Sequence, residues 1–482
     1  MHNMKTIHFL KFAYVILAGW TILPLQAQDS LTGWKWQEPP QENIVLYIGN
    51  DTITKNADPV TDSAPWWKAF GYTELDSLVQ KALANNIDLR IAGARVEQAR
   101  ANKKIALAAM FPAIRLEPSF VRQEFSPNRP NPFGGQLDRA TLNTYELPVT
   151  LSYEVDVFGK NINNVEASTL MSRASEEERK NTLLAVIAEV SRNYFLLLQL
   201  DAESDLLKHT ETTRKDNLEI TSTRYEAGLV SEIDVLRAKT ELSSVQVQLK
   251  NNRQLRAEIE LILATLTGED ASTFQVPHSK VRYLPPSVAF MEKDSLALSR
   301  PDLKAARLLL QSSDKRVSKQ WKELLPSFYL NGSYGYLSGD AGTLIETNGR
   351  SWIAGISASL PIFEGGRKRS EIKLRRSELQ EARENYNKLT LESYRQVENA
   401  YAQLQWVHQQ LLAQQQFVIA ARDAANLTGE RYRKGLVNYI DVVDAERQVL
   451  EAERLSVQLF GQELSGRVSL IQALGLFPET LK

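Results

Sequence analysis

Residues 224–235 read RYEAGLVSEIDV, and residues 431–442 read RYRKGLVNYIDV. Both stretches follow the pattern RYxxGLVxxIDV. The Asp-Leu pair at residues 88–89 recurs at residues 302–303, with nearly the same separation. The two motifs start 207 residues apart (431 − 224 = 207). This separation is much longer than the unit of a solenoid, which has about 20–50 residues. It indicates a duplicated half-protein, so we expect two halves with the same structure.

The amino end of the chain has the pattern of a secretory signal. Lys5 and Lys11 supply positive charge, residues 12–23 are apolar, and Ala27 is the small residue before a cleavage site. An uncleaved anchor is the alternative. The chain has no cysteine, so we expect no disulfide, no thiol chemistry and no lipid on a cysteine. Its 57 basic and 58 acidic residues nearly cancel, which argues against a nucleic-acid partner.

Four windows alternate between apolar and polar residues, as a strand with one apolar face does. They are residues 113–125, 144–158, 326–336 and 351–363. Each half thus contributes one hairpin, and a tilted strand of about ten residues crosses a bilayer. Four strands cannot close a barrel, so a membrane location would require several chains to share one barrel. The alternative is two amphipathic hairpins in a soluble sandwich.

Helical periodicity dominates the remainder of the chain. Residues 165–224 and 372–431 lack proline and carry an apolar stripe, which predicts two helices of about 90 Å. Each is followed by a glycine, Gly228 or Gly435, at a position typical of a helix C-cap. Further helices are predicted at about 233–266, 440–474, 74–109 and 301–324.

These patterns divide the chain into two repeats and shorter segments. The predicted segments are a signal peptide (1–27), an extended segment (28–64), a first repeat (65–267), a linker (268–299), a second repeat (300–476) and a tail (477–482). The hairpins are expected at 113–158 and 326–363. The long helical hairpins are expected to turn at a first tip near 228–234 and a second tip near 435–441.

Three further motifs accompany the doubled RYxxGLVxxIDV pattern. They are WWKAF at 66–70, EVDVFGK at 154–160 and LPIFEGGR at 360–367. Together these motifs resemble the TolC-like outer-membrane efflux channels, in particular the NodT-like branch that serves RND-type pumps. The resemblance covers residues 65–476. One departure is that many relatives in this branch carry a lipidated cysteine, which this chain lacks.

The resemblance implies an α+β membrane protein that forms a homotrimer in the outer membrane of a Gram-negative bacterium. Three chains would form a twelve-stranded transmembrane β-barrel, continued by a long α-helical barrel in the periplasm. The implied function is a passive exit duct for drugs and small molecules, not an enzyme. Its implied partners are a periplasmic adaptor and an inner-membrane RND transporter. The alternatives are the duct of a type I protein secretion system and a soluble periplasmic coiled-coil scaffold.

The second tip carries two carboxylates on one helix face. Asp441 and Asp444 are three residues apart, so chains that met in a narrow ring would crowd these groups and attract a cation. A solvated helix face is the alternative. The resemblance implies that Asp441 and Asp444 form a gate, with Ile440 as an apolar gate residue. It also implies that Arg447 pairs with the Asp444 ring.

The resemblance implies two further roles at the tips. Asp234 and Tyr432 match a cross-link between the tips, whereas Val437 stands where the family has an arginine for another lock. Exposed apolar residues at a turn indicate a partner surface, here for the adaptor. A turn that plugs its own barrel is the alternative. The turn residues are Gly228, Leu229, Val230, Gly435, Leu436 and Val437.

The sequence indicates no cofactor and no catalytic site. Its five histidines are scattered, and it has no HExxH, P-loop or nucleophile-elbow motif. No firm metal site is predicted, and Asp441 and Asp444 are the candidate ligands for a cation.

Overall fold

The structure is a computed structural model that describes two short strands, β1 (Leu46–Ile48) and β2 (Asp51–Ile53), and residues 65–128, 138–281, 286 and 300–477. All of these residues belong to one unit of the chain, Pro40–Lys482. The predicted signal peptide and most of the predicted tail lie outside the described residues.

The chain forms two similar series of elements, and the first has one helix and one strand more than the second. The first series is α1 (Thr73–Asn85), α2 (Ile87–Ala108), β3 (Ala113–Leu116), β4 (Ser119–Phe125), β5 (Ala140–Val155), α3 (Lys160–Glu226) and α4 (Glu232–Thr267). The second series is α5 (Pro301–Lys322), β6 (Ser327–Ser338), β7 (Arg350–Ser359), α6 (Arg367–Arg433) and α7 (Tyr439–Leu474). Each series runs from helix to strand hairpin to long helix, turn and shorter helix, which confirms the internal repeat.

The strands of both repeats form one antiparallel sheet. Both β3 and β4 pair with β5, β5 pairs with β6, and β6 pairs with β7. The long β5–β6 ladder, from Val155 opposite Phe328 to Tyr145 opposite Ser338, joins the hairpins of the two repeats. The outer strands of the sheet are β3 and β4 on one side and β7 on the other.

The first strand window is interrupted, which the alternation at 113–125 did not predict. Pro118 separates β3 from β4 because it has no N–H to donate to the ladder. The neighbouring Glu117 N–H still donates to the carbonyl oxygen of Pro148 in β5, at 3.1 Å. The two short strands therefore act as one broken strand beside β5.

The strands keep apolar side chains exposed within a single chain. All of β7 is exposed, including Trp352 (76%), Ile353 (70%) and Ile356 (80%). The predicted alternation therefore does not lead to a covered apolar face in the chain alone. Burial of these side chains requires lipid or a further chain.

Two helices are far longer than any other element. Both α3 and α6 have 67 residues, slightly more than predicted, and each is about 100 Å long. A window of α3 passes the length and hydropathy criteria for a membrane span, but 61% of it is buried within the chain. That burial is what a core helix of a water-soluble region shows.

The helix predicted at about 74–109 is divided in two. Asn86 lies between α1 and α2, and its side-chain oxygen accepts a hydrogen bond from the Leu89 N–H at 3.2 Å. Its amide nitrogen donates to the carbonyl oxygen of Leu266 at 2.9 Å. Asn86 thus caps α2 and attaches it to the end of α4.

The aromatic core lies near the middle of α3. The rings of Phe70 and Phe195 pack at a tilt, with their centroids 4.8 Å apart, and Trp66 and Trp67 are buried beside them. The Trp67 indole donates to Asp76 Oδ1 at 2.9 Å. Since about 30 residues of α3 follow Phe195, this core is roughly 45 Å from the first tip. The tips must therefore be held together by their own contacts.

Candidate functional site

The two tips have the same backbone geometry. Gly228 and Gly435 both adopt a positive φ, of 71° and 73°. In the first tip, Leu229 N–H donates to Arg224 O at 2.9 Å and Gly228 N–H to Tyr225 O at 2.8 Å. The corresponding bonds in the second tip have the same pattern, and both are Schellman motifs. The repeated sequence therefore forms the same turn twice.

The turns present apolar side chains to solvent. Leu229 is 74% exposed and Leu436 is 65% exposed, while Val230 and Val437 are half-buried. The turn geometry fixes the direction of each leucine, because it immediately follows the left-handed glycine.

The two tips pack against each other within the chain. A small core contains Ala238 from α4 with Tyr439, Val442 and Val443 from α7. The Arg224 guanidinium lies over the Tyr432 ring at 4.8 Å, so it joins the ends of the two long helices. Burial raises the pKa of the nearby Tyr439 phenol to about 12, with a further contribution from Glu446. That phenol stays neutral at physiological pH.

The expected Asp234–Tyr432 cross-link is not formed in this structure. Tyr432 Oη is buried and has no hydrogen-bond partner in the described part of the chain. The Asp234 carboxylate pairs instead with Arg237 on the next helical turn, at 3.4 Å. The Arg224–Tyr432 stacking contact therefore joins the tips where a tyrosine–aspartate hydrogen bond was predicted.

The predicted gate residues lie on the first two turns of α7. Asp441 Oδ2 accepts a hydrogen bond from the Asn438 N–H at 3.0 Å, as the third residue of a capping box. Asp444, one turn later, is 60% exposed. Ile440 is half-buried. One oxygen of Asp441 thus caps the start of the helix. The Asp444 carboxylate has no part in the capping box, so it is the freer of the two carboxylates.

Arg447 has a stronger partner than the predicted one. Its Nη1 lies 3.8 Å from Asp444 Oδ1, but its Nε donates to Glu241 Oε1 at 3.0 Å. The hydrogen bonds to Glu241 raise the pKa of the Arg447 guanidinium. Local sequence patterns did not predict this contact, because it joins residues of different repeats, 206 positions apart.

The described residues contain no group of three or more histidine, cysteine or carboxylate side chains able to hold a metal ion. Asp441 and Asp444 supply only two carboxylates from one chain. A cation at this position would therefore need ligands from further copies.

A profile of the outer membrane efflux protein family matches residues 78–269 and 294–476, well over half of the chain. The chain belongs to the outer membrane efflux protein family. Each of the two matched segments covers most of one series of elements, so each repeat contains one match to the family profile.

Known proteins resemble this outer membrane efflux protein along most of their length. The pyoverdine export outer membrane protein OpmQ of Pseudomonas aeruginosa is 29% identical over 422 residues, which cover 86% of this chain and 88% of OpmQ. The antibiotic efflux pump outer membrane protein ArpC of Pseudomonas putida is 26% identical over 477 residues, which cover 98% and 95%. The crystal structure of the outer membrane protein VceC of Vibrio cholerae superposes with a TM-score of 0.79 at 25% identity, covering 86% of this chain and 98% of VceC.

These comparisons confirm the resemblance found in the sequence. This outer membrane efflux protein is a channel component and not an enzyme, and it is located in the outer membrane and extends into the periplasm.

Proposed function

We propose that three copies of this outer membrane efflux protein form one channel. The single observation that carries the proposal is the open sheet, whose outer strands, β3 with β4 and β7, have no further partner strand among the described residues. An open edge in lipid leaves backbone groups without hydrogen bonds, so the sheet must close on other copies. Four strands from each of three chains make a barrel of twelve strands, within the range of outer-membrane barrels.

In this proposal, the channel is the passive exit duct of a tripartite efflux pump. An inner-membrane RND transporter supplies the energy, and a periplasmic adaptor connects it to the duct. The WWKAF motif at 66–70 supports the RND branch, and the names of OpmQ and ArpC describe an export protein and an efflux pump component. The transported compounds are small molecules that the transporter selects.

The second tip forms the gate of the proposed channel. In a trimer, the exposed Asp444 carboxylates of three chains converge with those of Asp441, and Ile440 supplies an apolar constriction. A ring of carboxylates favours cations and narrows the path. Opening requires the long helical hairpins to move apart at the tips.

The apolar turns bind the adaptor in this proposal. Leu229 and Leu436 are the most exposed large apolar residues of the two tips, and their backbone is held by the hydrogen bonds of the Schellman motifs. A rigid apolar side chain at the end of a helical hairpin loses little entropy on binding.

Replacing both Leu229 and Leu436 by aspartate should abolish efflux while leaving the trimer intact. Each change places a charge where an apolar contact is proposed, and the loss of one such anchor weakens binding about tenfold or more. The measurement is antibiotic susceptibility of a strain that depends on this channel, together with the amount of trimer in its outer membrane. Susceptibility should rise to that of a strain without the channel.

The matched control is Ile345→Asp, which changes an equally exposed residue in the loop between β6 and β7. It should leave efflux unchanged. Normal efflux by the doubly substituted protein would contradict the adaptor contact.

A further inference from the structure

A heptad repeat of charged residues on α7 remains unexplained by the proposed gate. Residues 445–447 and 452–454 both read Ala-Glu-Arg, seven positions apart. The equivalent part of the first repeat, 238–240, reads Ala-Lys-Thr. The charged pattern is therefore a property of the second tip's helix and not of the duplication.

The Glu-Arg pair nearer the tip belongs to a network that joins three helices. Glu446 accepts hydrogen bonds from Arg214 and, at 3.0 Å, from Asn217, both on α3. Arg447 donates to Glu241 on α4 at 3.0 Å. Arg214 also lies 3.9 Å from Glu241, so the charges alternate in sign from Glu446 through Arg214 and Glu241 to Arg447.

The two charges at the centre of this network are buried. The side chains of Arg214 and Glu241 are 2% and 8% exposed, so neither charge is compensated by water. Two positive and two negative groups balance, and neutralising Glu446 leaves the buried Arg214 guanidinium with only Glu241, 3.9 Å away. An open cavity lined by Arg214, Arg422 and Glu453 lies between α3, α6 and α7 at this level.

The network connects the two helical hairpins of the chain, α3–α4 and α6–α7. Its residue Arg447 is one turn from Asp444, the freer gate carboxylate. Because Arg447 contacts Glu241 at 3.0 Å and Asp444 at 3.8 Å, Glu241 draws the guanidinium away from Asp444. Glu241 thus binds α7 through Arg447, and the same contact keeps Arg447 from neutralising the Asp444 carboxylate.

We propose that Arg214, Glu241 and Glu446 are positioning residues of the gate. They hold the start of α7 against α3 and α4 in the closed tip, and they keep Arg447 from neutralising Asp444. The inference rests on the proposed function, since it assigns these residues to the same gate.

The first test is ion conductance of the detergent-purified protein in planar bilayers. Arg214→Gln and Glu446→Gln should each raise the conductance about tenfold or more, because each weakens the closed packing. Arg214→Lys, which keeps the buried positive charge beside Glu446 and Glu241, should keep the wild-type conductance, whereas a role in packing alone would not distinguish the charged variant from the neutral one.

The second arm measures ion selectivity from the reversal potential in a salt gradient. Glu241→Gln frees Arg447 to pair with Asp444, so the preference for cations should fall. This variant keeps the Arg214–Glu446 pair and the size of the side chain, so it tests the inference even where an Arg214 variant does not assemble.

The matched control is Glu203→Gln. It breaks the pair of Glu203 with Arg454, which joins the same two helices about 10 Å farther from the tip, and the Glu203 side chain is as buried as that of Glu241. Both conductance and selectivity should stay at wild-type values. If the Arg214 and Glu446 variants conduct like Glu203→Gln while Asp444→Ala conducts more than wild type, the positioning role is wrong and the gate stands. If Asp444→Ala is also without effect, the proposed gate is wrong and the inference fails with it.

Discussion

Asp444→Ala should raise the ion conductance of the purified protein about tenfold in planar bilayers. Asp444 is 60% exposed, and its nearest cation, Arg447, is bound more closely by Glu241. In the proposed trimer, three such carboxylates narrow the tip and hold cations there. Alanine removes both the charge and the side-chain volume, so ions should pass more freely.

Asp441→Ala is a less direct test of the gate. The Asp441 carboxylate also completes the capping box of α7, whose loss destabilises the start of the helix by about 1 kcal/mol. The control for Asp444→Ala is Glu451→Ala, two turns farther along the exposed face of α7. Glu451→Ala should leave the conductance unchanged. Equal conductance of wild type and Asp444→Ala would contradict the gate.

Gly335→Ala should reduce the amount of assembled channel in the outer membrane by more than about tenfold. Gly335 in β6 lies opposite Pro148 in β5, in the ladder that joins the two repeats. A Cβ at Gly335 would lie 2.2 Å from Leu147 O and 2.6 Å from Pro148 Cα. Both are backbone atoms, so the ladder must shift, at a cost of about 1–3 kcal/mol or more.

Gly355→Ala is the matched control, because a Cβ at Gly355 in the neighbouring strand β7 meets no atom within 4 Å. Its assembly should equal that of wild type. The measurement is the quantity of heat-sensitive oligomer in outer-membrane fractions. Similar quantities for both variants would show that β5 and β6 do not need the close approach seen here.

Much of the fold follows from local patterns in the sequence. The doubled RYxxGLVxxIDV predicted both tips because a left-handed glycine in that setting closes a Schellman motif in each. Alternation predicted the strands because their side chains face two sides of a sheet, and long stretches without proline predicted α3 and α6. Single residues then changed the details: Pro118 breaks the first strand, and Asn86 divides the first helix.

The candidate site was less predictable, because its contacts join distant parts of the chain. The family resemblance paired Asp234 with Tyr432, but in this chain Arg224 covers the Tyr432 ring. Arg447 was assigned to Asp444, its neighbour on the helix, and its closer contact with Glu241 depends on how the two hairpins pack. The repeated Ala-Glu-Arg on α7 was the one sequence signal that could have indicated this network.

The most direct test of the shared barrel is the mass of the protein, extracted from membranes with detergent and measured by light scattering. We expect that extraction requires detergent and that the particle contains three chains, whose full sequence corresponds to 54.4 kDa each. A monomer in detergent, or a protein that stays soluble without it, would contradict the shared barrel.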